Sequence, residues 1–198
     1  MSHNTYIHRA VRGLVRPLVN TPVTPNQITT LRLAAGIGAT VLFATGETAN
    51  WTWGGWLFIL SMILDRADGE LARQSGKKSP FGHKYDLFSD AFCNALAFIG
   101  LGIGLRAGPY GEWSIIMGAA AGMAVAFIFW LVTRMEAIEG ERAGEVTGFK
   151  GIDPDDGMFA VPVLILLGFQ DILLLLAVVG APTFALVLAL KFRRAFRK

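Results

Sequence analysis

The chain has 198 residues, 53% of them apolar and 17% charged, with a mean hydropathy of +0.48 and a formal net charge of +3. Soluble domains average about 45–50% apolar and about 25% charged, so an ordinary soluble domain is excluded, and so is a disordered chain. The single cysteine, Cys93, rules out an intramolecular disulfide and a cysteine-built zinc site. It lies in an apolar run and is expected to be an inert buried thiol.

Residues 1–20 are basic and mixed, without the apolar core of a cleavable leader. Within them, residues 5–19 predict a helix lying on a membrane surface. Ile7, Val11, Leu14 and Leu18 recur at helical spacing, and Arg9, Arg12 and Arg16 fall on other faces. That pattern suits an interfacial helix attracted to anionic lipid. Thr24-Pro25-Asn26 reads as a helix start, since Thr24 can cap and Pro25 fits the first turn. Six apolar runs then predict membrane spans: residues 25–44, 51–72, 82–105, 113–137, 157–169 and 172–190. The fifth is short. Pro162 and Pro182, in the fifth and sixth, predict kinks. The expected fold is an all-α membrane protein: six transmembrane helices forming one catalytic domain over 21–198, preceded by an N-terminal interfacial amphipathic helix over 1–20.

The basic residues sort across these spans. Arg9, Arg12 and Arg16 precede the first, Lys77 and Lys78 separate the second and third, and Arg142 and Lys150 separate the fourth and fifth. Lys191, Arg193, Arg194, Arg197 and Lys198 follow the sixth, while the opposite loops hold only Arg106. The positive-inside rule therefore puts both termini in the cytoplasm, in agreement with an even number of crossings. Trp51, Trp53, Trp56, Tyr110 and Trp113 mark an aromatic belt at the outer boundary. The pairs Gly100/Gly104 and Gly118/Gly122 permit close helix approach, either between protomers of a dimer or within one protomer.

The chemistry lies in acids at membrane depth. Asp65 and Asp68 sit in the second span, Asp86 and Asp90 in the third. Ionisable groups there are costly and usually functional. Asp65 follows Trp51 by 14 residues, which at about 1.5 Å per residue is roughly 21 Å from the outer face. That leaves it roughly 9 Å below the cytoplasmic surface of a hydrocarbon core about 30 Å thick. Asp90 is about 12 Å deep from the same side. Asp65, Asp68 and Ala72 share one helix face; Gly82, Asp86, Asp90 and Asn94 share another. On antiparallel neighbours joined by a short basic loop, the four carboxylates converge. Unpaired they would repel one another; two divalent cations would neutralise them. An all-oxygen donor set favours Mg²⁺ or Mn²⁺ over Zn²⁺. The alternative is salt bridging to Arg66, Arg73 and Lys84. Two such ions suit in-line displacement at phosphorus, and the small residues Gly69, Ala72 and Gly82 leave room for a ligand or for close helix packing. His83 is offset from the Asp86/Asp90 stripe.

Together these residues resemble a known family. Asp65-Arg-Ala-Asp68-Gly69-Glu-Leu-Ala72-Arg73, followed by Gly82, Asp86 and Asp90, matches the CDP-alcohol phosphotransferase signature D-x2-D-G-x2-A-R-x8-G-x3-D-x3-D at every defined position. Thr24-Pro25-Asn26-Gln27-Ile28-Thr29 is similar to the start of that family's first span. The resemblance implies a homodimeric membrane enzyme that moves the phosphatidyl group of a CDP-alcohol, usually CDP-diacylglycerol, to a hydroxyl acceptor with release of CMP. It also implies that Asp65, Asp68 and Asp86 hold the metals and that Asp90 completes the second metal site and acts as base. By the same likeness Gly69, Ala72 and Arg73 line the nucleotide pocket with Asp65, Asp68 and Gly82, and Asn26 and Thr29 face it. Guanidinium chemistry makes Arg73 a phosphate partner or, alternatively, a snorkelling interfacial cation.

The acceptor is not legible. Arg134, Arg142 and Lys150 are candidate contacts to an acceptor phosphate or solvated interfacial cations. Asp153, Asp155 and Asp156 form a turn or helix cap, or bind an amino-alcohol cation. The expected partners are a CDP-alcohol, a small polar hydroxyl acceptor, the bilayer and a second copy of the chain, and not a nucleic acid. The rival class is a cation transporter with an intramembrane carboxylate path, against which stand the clustering of the acids near one face and the lack of an internal repeat.

Overall fold

The structure, a computed structural model, describes residues 6–139 and 158–193, with side chains from Val11 onward. The described residues form helices and no strand. These are α1 (Tyr6–Val15), α2 (Pro25–Thr45), α3 (Thr48–Ser75), α4 (Pro80–Gly104), α5 (Trp113–Glu139), α6 (Ala160–Leu166) and α7 (Gln170–Phe192), with 3₁₀ turns at Arg16–Leu18 and Leu105–Ala107.

Local chemistry sets the helix ends. Thr24 and Gln27 form a reciprocal capping box (Gln27 N–H to Thr24 Oγ1 3.3 Å, Thr24 N–H to Gln27 Oε1 2.9 Å) with Pro25 in the first turn, as the sequence predicts. The α2 and α3 helices stop at Gly46 and Gly76, whose φ of 78° and 69° suit glycine. Ser79 caps α4 by accepting from Gly82 N–H at 2.9 Å.

Four helices are long and apolar enough to cross a bilayer: α2, α4 continued to Ala107, α5 to Ile138, and α7. Their lipid-facing surfaces carry exposed Leu31, Val41, Met123, Leu176, Val179 and Leu186, which identifies an integral membrane protein. The other two expected spans differ from these four. With 28 residues, α3 measures about 42 Å, but charged residues crowd its last third. Among the described residues of the fifth expected span, 7 form an α-helix, α6, about 10 Å of rise. Pro162 lies in the first turn of α6, where a proline sacrifices no helical hydrogen bond. Pro182 is interior to α7.

The core is built around α2, α3 and α4, which pack on one another; α5 lies against α4, α7 against α5, and α1 and α6 against α3. The small-residue pairs pack within the protomer. A Cβ on Gly118 or Gly122 would lie 2.5 Å from Phe98 O or 2.6 Å from Ala95 O on α4, and one on Gly100 would lie 2.6 Å from Thr40 O on α2. These helices touch backbone to backbone.

One detail corrects the sequence reading and another adds to it. Trp51 is not part of an exposed belt: it is buried and donates Nε1–H to Phe43 O at 2.8 Å, while Trp53, Trp56 and Trp113 remain exposed. The buried face of α1 is Val11 and Val15, packed with Ile28 and Leu71, whereas Leu14 is 70% exposed. Docking on α3, rather than the helical wheel alone, selects that face.

One end of the bundle gathers the starts of α2 and α4 and the ends of α3, α5 and α7. Leu131 and Met135 pack with Leu188 and Phe192 there. Lys77 Nζ bonds Thr21 O (2.9 Å) and Val23 O (3.1 Å), tying the α3–α4 turn to the start of α2. At the other end Arg106 Nη1 donates to Ala44 O at 3.1 Å.

Candidate active site

Three helices build the site near the basic end. The α3 helix supplies Asp65 and Asp68, one turn apart; α4 supplies Asp86 and Asp90, likewise; α2 supplies Thr29 and Arg32. One carboxylate oxygen from each of Asp65, Asp68 and Asp86 lies within 4.8 Å of the other two. That span is about twice the metal–oxygen distance of a hard divalent cation. An oxygen-only donor set of this compactness could hold a hard divalent cation.

The hydrogen bonds orient these acids. Thr29 Oγ1 lies 2.6 Å from Asp68 Oδ2 and 3.1 Å from Pro25 O. A hydroxyl has one proton, and the shorter contact to a charged acceptor takes it. Asp68 is 3% exposed, so this donor matters to a carboxylate with little water. Arg32 is the residue the sequence reading missed. Its side chain is 3% exposed, its Nη1 lies 3.0 Å from Asp65 Oδ1 and 3.2 Å from Asp86 Oδ1, and its Nη2 pairs with Asp90. A signal was available: an arginine inside the apolar first span obeys the same rule as the acids, that intramembrane charge is costly and usually functional. Arg66, expected as a possible partner, reaches Asp65 Oδ2 at 3.8 Å and places its guanidinium 4.6 Å from the centroid of the Phe159 ring.

The remaining expected residues fall as follows. Asp90 joins the cluster through Arg32 and is not one of the three acids within 4.8 Å. Asn26 sits beside Gly82, where an added Cβ would lie 2.8 Å from Asn26 Oδ1. Thr29, Asn26 and Gly82 thus border the acids. Gly69 and Ala72 are half-buried on α3. A Cβ on Gly69 would meet nothing within 4 Å, so packing inside the chain does not demand glycine there. Arg73 turns to Glu70, a buried acid that also accepts from Arg12 Nε at 3.1 Å and Gln74 Nε2 at 2.9 Å. Glu70 therefore ties α1 to α3, a role the signature does not mark. His83 is exposed on α4, and Arg134 is exposed near the end of α5. Arg142, Lys150, Asp153, Asp155 and Asp156 lie outside the described residues. Cys93 is buried, as expected.

Comparison with known proteins agrees with this architecture. The chain is 34% identical over 134 residues to the bifunctional IPC transferase and DIPP synthase of Rubrobacter xylanophilus, covering 66% of this chain and 28% of that protein. It is 32% identical over 125 residues to the phosphatidylinositol phosphate synthase of Cutibacterium acnes, covering 61% of this chain and 58% of that one. The matches therefore span well under two thirds of either relative. The crystal structure of Mycobacterium tuberculosis phosphatidylinositol phosphate synthase with CDP-DAG bound superposes with a TM-score of 0.66 at 22% identity, over 90% of this chain and 92% of that one, and so shares the fold. A family model for CDP-alcohol phosphatidyltransferase matches residues 22–190. With Asp65, Asp68 and Asp86 of the signature drawn together and the family match running over most of its length, the chain belongs to the CDP-alcohol phosphatidyltransferase family.

Proposed function

We propose that the protein transfers a substituted phosphoryl group, the phosphatidyl group of CDP-diacylglycerol or a related CDP-alcohol, to a hydroxyl of a small polar acceptor and releases CMP. The observation that carries this is the convergence of Asp65, Asp68 and Asp86 within 4.8 Å inside a membrane helix bundle of this family. Asp65, Asp68 and Asp86, with Asp90 at the second position, would hold two divalent ions, Mg²⁺ or Mn²⁺. Bound there, such ions supply charge neutralisation and polarise phosphoryl oxygens.

The chain's own groups do the rest. Asp90 takes the proton of the acceptor hydroxyl. The acceptor oxygen bonds to the phosphorus that carries the lipid alcohol, and the bond from that phosphorus to the CMP oxygen breaks. Thr29 keeps Asp68 oriented. Gly69, Ala72 and Gly82 leave room for the nucleotide, with Asn26 and Arg73 at its margin. Arg134, Arg142 and Lys150 are the cations offered to an acceptor phosphate, and the name of the Cutibacterium acnes relative, phosphatidylinositol phosphate synthase, puts inositol phosphate first among acceptors to try. Six crossings, an interfacial α1, cytoplasmic termini, a cytoplasm-facing site and a homodimer complete the reading. It is supported by Arg12, Lys77 and Lys191 lying at the site end of the bundle and Arg106 at the other.

The test is CMP release by purified protein from CDP-diacylglycerol against a panel of alcohols, with Mg²⁺ or Mn²⁺ and with excess chelator. Turnover that needs metal and disappears in folded Asp65→Asn and Asp90→Asn supports the reading. Full turnover in chelator overturns the metal role. Cation flux into liposomes without CMP release would favour the transporter.

A further inference from the structure

Arg32 is the one member of the cluster whose role neither the signature nor the transfer reaction assigns. It is the one charged residue of α2, and its carbonyl is anchored by Ser61 Oγ–H at 3.0 Å. Its side chain is 3% exposed, with Nη1 at 3.0 Å from Asp65 and 3.2 Å from Asp86 and Nη2 on Asp90. Its Nε is buried without a hydrogen-bond partner. The carboxylates, not general polarity, therefore hold it in place. Two of the acids it binds, Asp65 and Asp86, belong to the trio grouped closely enough for a cation. A single positive charge bridging three acids from two helices does in part what a divalent ion would do.

We propose that Arg32 is a resident cation of the site. It holds Asp65, Asp86 and Asp90 together when no metal is bound, and it competes with divalent ions for them, so that it sets the metal affinity. It is a positioning residue. This rests on the reading of the acids as a metal site. The physical reason is repulsion between like charges at a few ångströms in a partly desolvated pocket, together with shared demand for the same carboxylates. Removing the charge empties the pocket of its competitor and also removes the bridge between α3 and α4. The metal-free protein should become less stable, and the metal should bind more tightly and restore more stability than it does in wild type.

The experiment titrates Mn²⁺ into the full chain in detergent, following free Mn²⁺ by electron paramagnetic resonance, and measures thermal unfolding in chelator and in saturating Mn²⁺. Arg32→Gln removes the charge while keeping hydrogen-bonding groups near the acids; Arg32→Lys keeps the charge. The expected result is that Arg32→Gln unfolds at lower temperature than wild type in chelator, that the gap narrows or closes in Mn²⁺, and that Mn²⁺ affinity rises by at least about tenfold, the scale of one unit charge removed from a partly desolvated site. Arg32→Lys should stay near wild type. Unchanged or weaker Mn²⁺ binding by Arg32→Gln, or equal behaviour of the Gln and Lys variants, overturns the proposal. A loss of stability equal in chelator and in Mn²⁺ reduces Arg32 to a packing residue and also overturns it. If wild type binds Mn²⁺ and the variants match it, only the role of Arg32 fails. If no form binds Mn²⁺, the metal reading fails with it.

Discussion

Thr29 offers the most direct test of how the first helix serves the acids. Thr29→Val keeps shape and volume while deleting the hydroxyl that lies 2.6 Å from Asp68 Oδ2. Both residues are buried, so water does not easily replace the lost donor. A hydrogen bond to a charged group contributes about 1.5–3 kcal/mol net. Taking about 2 kcal/mol, and assigning all of it to the arrangement that accepts metal, gives roughly a 30-fold loss of affinity. Mn²⁺ titration and CMP release should therefore show weaker metal binding and a raised metal requirement in Thr29→Val. Thr29→Ser, which keeps the donor, should stay within a few-fold of wild type. If Thr29→Val matched wild type in both assays, or Thr29→Ser were as damaged as Thr29→Val, the hydrogen bond would not be what orients Asp68.

Gly69→Ala should leave thermal stability unchanged or raised by up to about 1 kcal/mol, because its Cβ meets nothing within 4 Å and alanine favours the helix; turnover should nevertheless fall if the nucleotide approaches that backbone, and undiminished kcat/KM for CDP-diacylglycerol would remove Gly69 from the pocket. Gly118→Val should push α4 and α5 apart, since even a Cβ lies 2.5 Å from Phe98 O; overpacking of this kind costs about 1–3 kcal/mol or more, read as a lower unfolding temperature, and a wild-type unfolding temperature would contradict the described crossing. Glu70→Gln should weaken the tie to Arg12 and Arg73, release α1 to limited proteolysis and leave the acid cluster able to bind Mn²⁺; unchanged protease resistance would show that Val11 and Val15 suffice to dock α1.

Much of the site was legible because spacing along a helix is geometry. The i,i+3 and i,i+4 intervals of Asp65/Asp68 and Asp86/Asp90 dictate shared faces before any fold is known, and the short turn between the helices makes those faces neighbours. Which apolar side chains the protein itself buries was not legible. An apolar side chain at a membrane boundary satisfies the same pattern whether it meets lipid or protein. Only the partner decides. For Trp51 that is the carbonyl of Phe43; for α1 it is Ile28 and Leu71, which draw in Val15 and leave Leu14 outside.

Composition and periodicity by themselves determined a membrane-embedded helical chain, its capped first span and an acid-lined pair of helices, because each of these follows from local spacing and transfer free energy. The tertiary structure alone decided which cation bridges those acids. Arg32 is separated from Asp65, Asp86 and Asp90 by long stretches of chain, and no local pattern couples them. Their meeting depends on how closely α2 sits against α3 and α4, which is a property of packed surfaces rather than of sequence intervals.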